Sequence, residues 1–324
     1  MATGNTSFTK LITTTLQNLP SEVFDAVSTN NALLYMLQKR GNLKIVSGGR
    51  SFTHPIFHTQ HASFASYGRL DTIVTAIEDD LTRAEYPIKT IAGSVVLSLL
   101  DLAMNAGQRE KLLDLAEETL QRAKISMGEI MGDQVFKDGT AVNDFDGLQH
   151  LINISPSTQT DVGGINPSTT GNTFWRNQVD TATITAFNTS SEGLTAMNSM
   201  LNSCTFGRQG PRLVVMTKTV YGLYEIGLTS NMRYVTTELA DAGFRHLAYT
   251  TLPVVFDDNC PSHYIYFVDT DNLYLQVLSQ GNFEITDFER SHNQLTKTAL
   301  MYLFGNLTAG SRRTQGVASG SDGT

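Results

Sequence analysis

Two pairs of aspartates are the residues of this chain best suited by type and spacing to chemistry. Asp257-Asp258 closes one apolar run and Asp269-Thr270-Asp271 closes the next. Carboxylates at the ends of strands can supply oxygen ligands to Mg²⁺ or Ca²⁺, as in a metal-dependent transferase. Aspartate in that position is also ordinary turn chemistry. No Gly-rich phosphate cradle accompanies either pair, and Gly48-Gly49 and Gly163-Gly164 are too isolated to form one, which favours the turn reading. His54, His58 and His61 lie four and three residues apart and would align for a metal on a helix. Pro55 and the Ser/Thr-rich surroundings make a helix the wrong expectation there, so polar surface or inter-subunit contacts are expected instead.

The chain holds no GxSxG elbow, HExxH or CxxC. Cys204 and Cys260 stand far apart and read as two buried thiols. Trp175, in Asn172-Thr173-Phe174-Trp175-Arg176, reads as a packing anchor. Arg312-Arg313 is one short basic pair, suited to an occasional phosphate contact. No catalytic, cofactor-binding or metal-binding residue is expected, and no cofactor.

Composition narrows the class. At 324 residues, 40% hydrophobic and 17% charged, the chain has apolar material for one large domain or two joined ones. The formal charge of −8 argues against broad electrostatic binding to phosphate backbones. No run of eighteen apolar residues occurs, and the first ten residues lack the pattern of a signal peptide, so neither a membrane span nor secretion is expected.

The elements that must position these residues alternate in type. An amphipathic helix runs through Val23, Phe24, Val27, Leu33, Leu34, Met36 and Leu37, started by Pro20-Ser21-Glu22. Phe52, His54 and Ile56 alternate as a strand, and Phe57 to Leu70 reads as the exposed tip of a long hairpin, with Asp71 to Ala76 as the returning strand. Ala84 to Ala92 alternates again, and a short helix is expected from Ser94 to Leu102. The strongest signal is Gly107 to Val135, where Leu113, Ala116, Leu120, Ala123, Met127 and Ile130 recur at steps of three and four. That helix would be roughly 40 Å long, with Glu118 and Arg122 as an i,i+4 pair.

Beyond it a polar loop (Ser155 to Thr173) leads to a helix (Ser191 to Asn202), a strand (Arg212 to Thr217) and a helix (Val220 to Leu228). Strands follow at Leu252 to Phe256, Ile265 to Asp269 and Leu273 to Leu278. A long strand around Leu295 to Asn306 is apolar on both faces, which implies burial in the subunit or against neighbours. The Gly/Ser/Thr/Arg composition after Ala309 predicts a flexible tail.

This order of parts resembles the tailed-bacteriophage major capsid protein family. The segments carrying the resemblance are Phe136-Lys137-Asp138-Gly139, closing the long helix, and Phe145-Asp146-Gly147-Leu148-Gln149-His150-Leu151, opening a compact domain. The run from Ala248 to Asp258, then Tyr264 to Thr270 and Leu273-Tyr274-Leu275, completes it. The resemblance implies an α+β fold with an amino-terminal arm at 1–45 and an extended loop at 46–80. It implies a peripheral domain at 81–139 with 281–310, containing a long spine helix, an axial α/β domain at 140–280, and a tail at 311–324.

It also implies a function: a non-enzymatic major capsid protein, assembling with itself as pentamers and hexamers into an icosahedral head that encloses double-stranded DNA. Such a virion component is assembled in the bacterial cytoplasm, with a portal protein and a decoration protein as further partners and no membrane contact. The charged helical scaffolding segment that some members carry is missing here, so a separate scaffolding protein is expected. The stretch from Gly48 to Asp80 contains no lysine, which argues against covalent Lys–Asn crosslinking from that loop. Two other functions fit the same residues: an encapsulin-like nanocompartment shell, and a metal-dependent α/β enzyme using Asp257, Asp258, Asp269 or Asp271.

Overall fold

The computed structural model describes residues 31–59, 63–73, 75, 81–104, 109–181, 192–228, 246–250 and 252–319. Helix α1 (Ala32–Lys39) is capped by Asn31, whose side chain accepts from the Leu33 and Leu34 amides, and it buries Leu33, Leu34, Met36 and Leu37. The earlier half of the expected helix, Val23 to Val27, lies outside the described residues. Strand β1 (Leu43–Val46) follows, then a two-stranded ribbon of β2 (Ser51–Phe57) and β3 (Leu81–Pro87). The returning strand is therefore β3 and not 71–76, whose described positions form no strand, so the ribbon reaches past residue 80 to Pro87. Asp71, Thr72 and Ile73 lack the alternation that gives β3 its buried Ala84 and Tyr86.

Strand β4 (Lys89–Ser98) runs straight through the region expected to turn helical, because Ile91, Val95 and Leu97 face inward and the strand pairs along its whole length. The helix begins only at α2 (Leu99–Met104). Helix α3 (Arg109–Val135) is the long spine helix, burying Leu120, Met127, Met131 and Val135, with Arg122 paired to Glu118. A short helix α4 (Leu148–Leu151) opens the compact part, followed by β5 (Gln178–Asp180), α5 (Glu192–Cys204), β6 (Leu213–Met216) and α6 (Lys218–Gly227). Then come β7 (His246–Tyr249), β8 (Leu252–Phe256), β9 (Tyr264–Val268) and β10 (Leu273–Leu278). Short strands β11 (Glu284–Ile285) and β12 (Glu289–Arg290) precede the 14-residue β13 (Thr296–Ala309) and β14 (Gly316–Ser319).

These strands make two six-stranded sheets. In the spine sheet β13 is the shared member, paired antiparallel to β4 along one edge and to β10, β11 and β12 along the other, with β1 parallel to β10. The axial sheet has the order β5-β14-β9-β6-β8-β7. It is buried on both faces: Leu213, Val215, Tyr266 and Val268 join the large central core, while Val214, Met216, Ile265 and Phe267 join a second core under α5 and α6. Two-sided burial explains why Leu213-Val-Val-Met216 is a continuous apolar run and not an alternating one.

Residues 311–319 are not a flexible tail. Strand β14 sits inside the axial sheet, parallel to β5 and antiparallel to β9, and Arg312, Gln315, Gly316, Val317 and Ala318 are buried. Its small residues are what the slot requires: a Cβ on Gly316 would come within 2.4 Å of Cys204 Sγ.

Candidate functional site

The aspartate pairs do not converge. Strand β8 runs parallel to β6 and β9 antiparallel to it, so Asp257 and Asp269 emerge at opposite ends of the axial sheet. The Asp257 amide donates to Met216 O at the end of β6, and the Arg212 amide donates to Val268 O at its start. At about 3.3 Å per residue the two pairs stand roughly 16 Å apart.

Each carboxylate has a local task. Asp257 accepts from the Asn259 amide at 3.0 Å, and burial pushes its carboxyl up to about 6. Asp269 caps the 3-10 turn Thr270–Asn272, accepting from the Asp271 amide (3.0 Å) and Asn272 Nδ2 (2.7 Å). Asp271 bridges Arg40 (3.2 Å) and Arg212 (3.3 Å). Among the described residues no group of three His, Cys, Asp or Glu is placed to hold a metal ion.

The histidines lie on a strand and its continuation. His61 is outside the described residues. His54, on β2, is buried against Tyr274 with ring centroids 5.1 Å apart, and its Nε2 is 2.9 Å from Thr308 Oγ1. Thr308 donates its own proton to Tyr274 O, so Nε2 is the protonated nitrogen of a neutral His54. Burial, reinforced by Lys44, lowers its pKa to about 4. His58 packs on Phe174 at 4.8 Å. Both side chains fasten the ribbon to the body.

Beyond that fastening the ribbon leaves large apolar side chains mostly exposed. Phe57 is 78% exposed, Phe64 78% and Leu70 93%, with Ile73 and Leu81 also exposed. The spine sheet is similarly one-sided. Ala299, Met301 and Leu303 of β13 are buried, while Leu300 faces outward beside half-buried Tyr302 and Phe304. Among the described residues both surfaces keep exposed apolar side chains.

A second group of residues holds the parts together, among them Arg312, which is fully buried and not the exposed phosphate contact expected of it. Asn306, at the end of β13, uses every hydrogen-bonding position of its side chain. Its Oδ1 accepts from the Asp146 and Leu307 amides, both at 2.9 Å, and its Nδ2 donates to Pro87 O (2.9 Å) and Asp146 Oδ2 (2.7 Å). Tyr86 donates to Ala309 O at 3.1 Å. Six residues on from Asn306, the Arg312 side chain donates to Leu151 O (2.7 Å), Trp175 O (2.9 Å), Gln159 Oε1 (2.6 Å) and Asn177 Oδ1 (3.1 Å). Burial lowers the guanidinium pKa to about 10, leaving it charged at neutral pH, and no carboxylate among the described residues lies within ion-pair distance. Gln315 brackets Asp269, accepting from its amide at 2.8 Å and donating to its carbonyl at 2.9 Å. Trp175 is the buried anchor expected, its indole donating to Val162 O at 2.8 Å, and both cysteines are buried free thiols.

No family model matches the sequence, and no curated protein matches it either. Solved structures do match in shape. The capsid of cyanophage A-1(L) superposes with a TM-score of 0.60 at 15% identity over 86% of this chain and 90% of that one. The capsid of a native GTA particle gives 0.56 at 13% identity over 88% and 90%. The SrpI encapsulin of Synechococcus elongatus gives 0.55 at 10% identity over 87% and 86%. The chain thus has, over most of its length, the fold shared by these phage, GTA and encapsulin proteins.

Proposed function

We propose that this chain is the major capsid protein of a phage, a non-enzymatic subunit that assembles with itself into pentamers and hexamers of an icosahedral head around double-stranded DNA. The observation that carries the reading is the ribbon: its root is fastened by His54, Tyr86 and Pro87, while its tip presents Phe57, Phe64 and Leu70 to solvent. A monomer gains nothing from a rigidly mounted apolar projection, whereas a subunit that must bury surface against several neighbours needs one. The fold shared with capsid subunits supports the same conclusion. A portal protein, a separate scaffolding protein and a decoration protein are its expected partners, and the acidic charge of −8 suits a container that must later release its DNA.

Negative-stain electron microscopy of purified full-length protein tests this directly. Closed particles or ring-shaped capsomers are expected, and a monomer under every condition of salt, pH and concentration removes the proposal. Contents separate the phage head from a nanocompartment: natively isolated particles should hold double-stranded DNA, whereas a protein cargo would mark an encapsulin-like shell. The metal-dependent alternative has no support from the geometry, since its four aspartates stand at two ends of a sheet.

A further inference from the structure

We infer that the buried polar hub of Asn306, Asp146 and Arg312 sets the angle between the spine half and the axial half of the subunit, and through it the diameter of the closed particle. The inference rests on the shell-forming function proposed above.

The hub lies where three parts of the chain meet. Asn306 belongs to β13 of the spine sheet, Pro87 to the root of the ribbon, and Asp146 to the segment that opens the axial part. Arg312 lies on the crossing from β13 to β14, that is, from the spine sheet into the axial sheet. Its four acceptors come from the 151–177 stretch that lines that crossing.

Apolar packing alone tolerates sliding, because it is non-directional and depends mainly on area. Directional bonds do not. A planar guanidinium with four acceptors, and an amide with all its positions filled, are satisfied in one relative placement only. Any rotation of the axial half about the crossing would strand a buried charge or a buried carboxylate, each costing more than an ordinary hydrogen bond. The placement is thereby made discrete.

A closed shell repeats that angle in every copy. Subunits contacting neighbours through both halves inherit the inclination of those neighbours from it, and small differences per subunit accumulate around a ring until it closes at another size or fails to close. Asn306, Asp146 and Arg312 are in this sense positioning residues. They are buried within the subunit and act through the geometry they hold.

Three variants of the full chain test this. Arg312→Lys keeps the charge and loses the fork. Asp146→Ala removes the acceptor that Asn306 Nδ2 bonds. Gln159→Ala takes away one acceptor at the half-buried rim, and keeps the test open where the other two do not fold. Parent and variants also carry Ile125→Cys on α3 and Ile226→Cys on α6, both exposed, for spin labels, since native Cys204 and Cys260 are buried. Folded variants are expected to show a label-to-label distance distribution about twice as wide as the parent's in dissociated subunits, and to assemble into particles of mixed diameter. A hub that contributed stability alone would lower the melting temperature and leave both distributions as they are. Particles of the parent's single diameter from folded variants overturn the inference and leave the shell function standing, whereas a parent that forms no particles removes both.

Discussion

Asp257 and His54 carry buried ionisable groups whose effects on stability have opposite signs. The Asp257 carboxyl is raised to about 6 in the fold from an ordinary value near 3.8, so the folded chain holds a proton there that the unfolded chain releases between those values. Its contribution is present below the unfolded value and is lost as pH rises through about 6. His54 behaves inversely: lowered to about 4 from 6.5, it contributes above its unfolded value and loses that contribution as pH falls towards 4. The two slopes oppose each other over one window, each worth at most about 3 kcal/mol and less where solvent still reaches the group. Asp257→Asn should therefore stabilise the chain by about 1–2 kcal/mol at pH 8 and by almost nothing at pH 4, since the asparagine oxygen still accepts from the Asn259 amide. His54→Gln should lose less stability on acidification than the parent does. Chemical denaturation of dissociated subunits from pH 4 to 8 reads both slopes. His150, whose pKa burial also lowers, leaves an acid-side loss common to parent and variants. Equal slopes in the parent and Asp257→Asn would contradict the assignment.

Among the elements, the spine helix shows most clearly how local pattern and distant context divide the work. Its stripe of Leu120, Ala123 and Met127 is readable at once, because helix periodicity is a local property, but Ile130, expected on the same stripe, is exposed, and Met131 and Val135 take the buried positions. Its closure is not local. After Val135 the chain folds back so tightly that a Cβ on Gly147 would sit 2.4 Å from Lys137 N and 2.5 Å from Lys137 O. Gln134 secures the return by accepting from the Phe145 amide at 2.8 Å. Gly147 has an ordinary negative φ of −71°, so only its lack of a side chain is required there. Gly147→Ala should accordingly cost about 1–3 kcal/mol, since the obstructing atoms are backbone and cannot rotate away. A thermal melt of the dissociated subunit measures it, and an unchanged midpoint would show that the return is looser than described. The same division explains β14. Gly-Val-Ala-Ser is too short and too small to read as a core strand, and its burial follows from β5 and β9, 138 and 51 residues upstream by the register of Gly316 with Gln178 and of Val317 with Tyr266. Asn306 was missed and Arg312 misplaced as a phosphate contact for a related reason: a polar residue is expected outside unless its partners are known, and apart from the adjacent Leu307 theirs lie 135 to 219 residues away in the chain.

At the scale of the whole molecule, stability and assembly should be separable. The large core joins α1, the ribbon root, the second half of α3 and both sheets, and none of it depends on the ribbon's tip. Phe57, Phe64 and Leu70 lie beyond that core and are more exposed than burial-driven folding would leave three large apolar side chains so close in sequence. Replacing all three with serine removes apolar surface only from the outside of the subunit. None of the three belongs to a buried core, and surface changes of this kind usually stay within about 0.5 kcal/mol each. An interface that buries the same three groups would forfeit about 1.5–3 kcal/mol for each one it had fully covered. Repeated at every copy of a closed shell, that loss is decisive for assembly. The triple variant is expected to melt within a few degrees of the parent and to remain as dissociated subunits or open rings at concentrations where the parent forms closed particles. Sedimentation velocity alongside thermal melting separates the two effects. Particles forming as readily as in the parent would show that the tip stays in solvent after assembly, and would move the search for the inter-subunit surface to the open face of the spine sheet around Leu300, Tyr302 and Phe304.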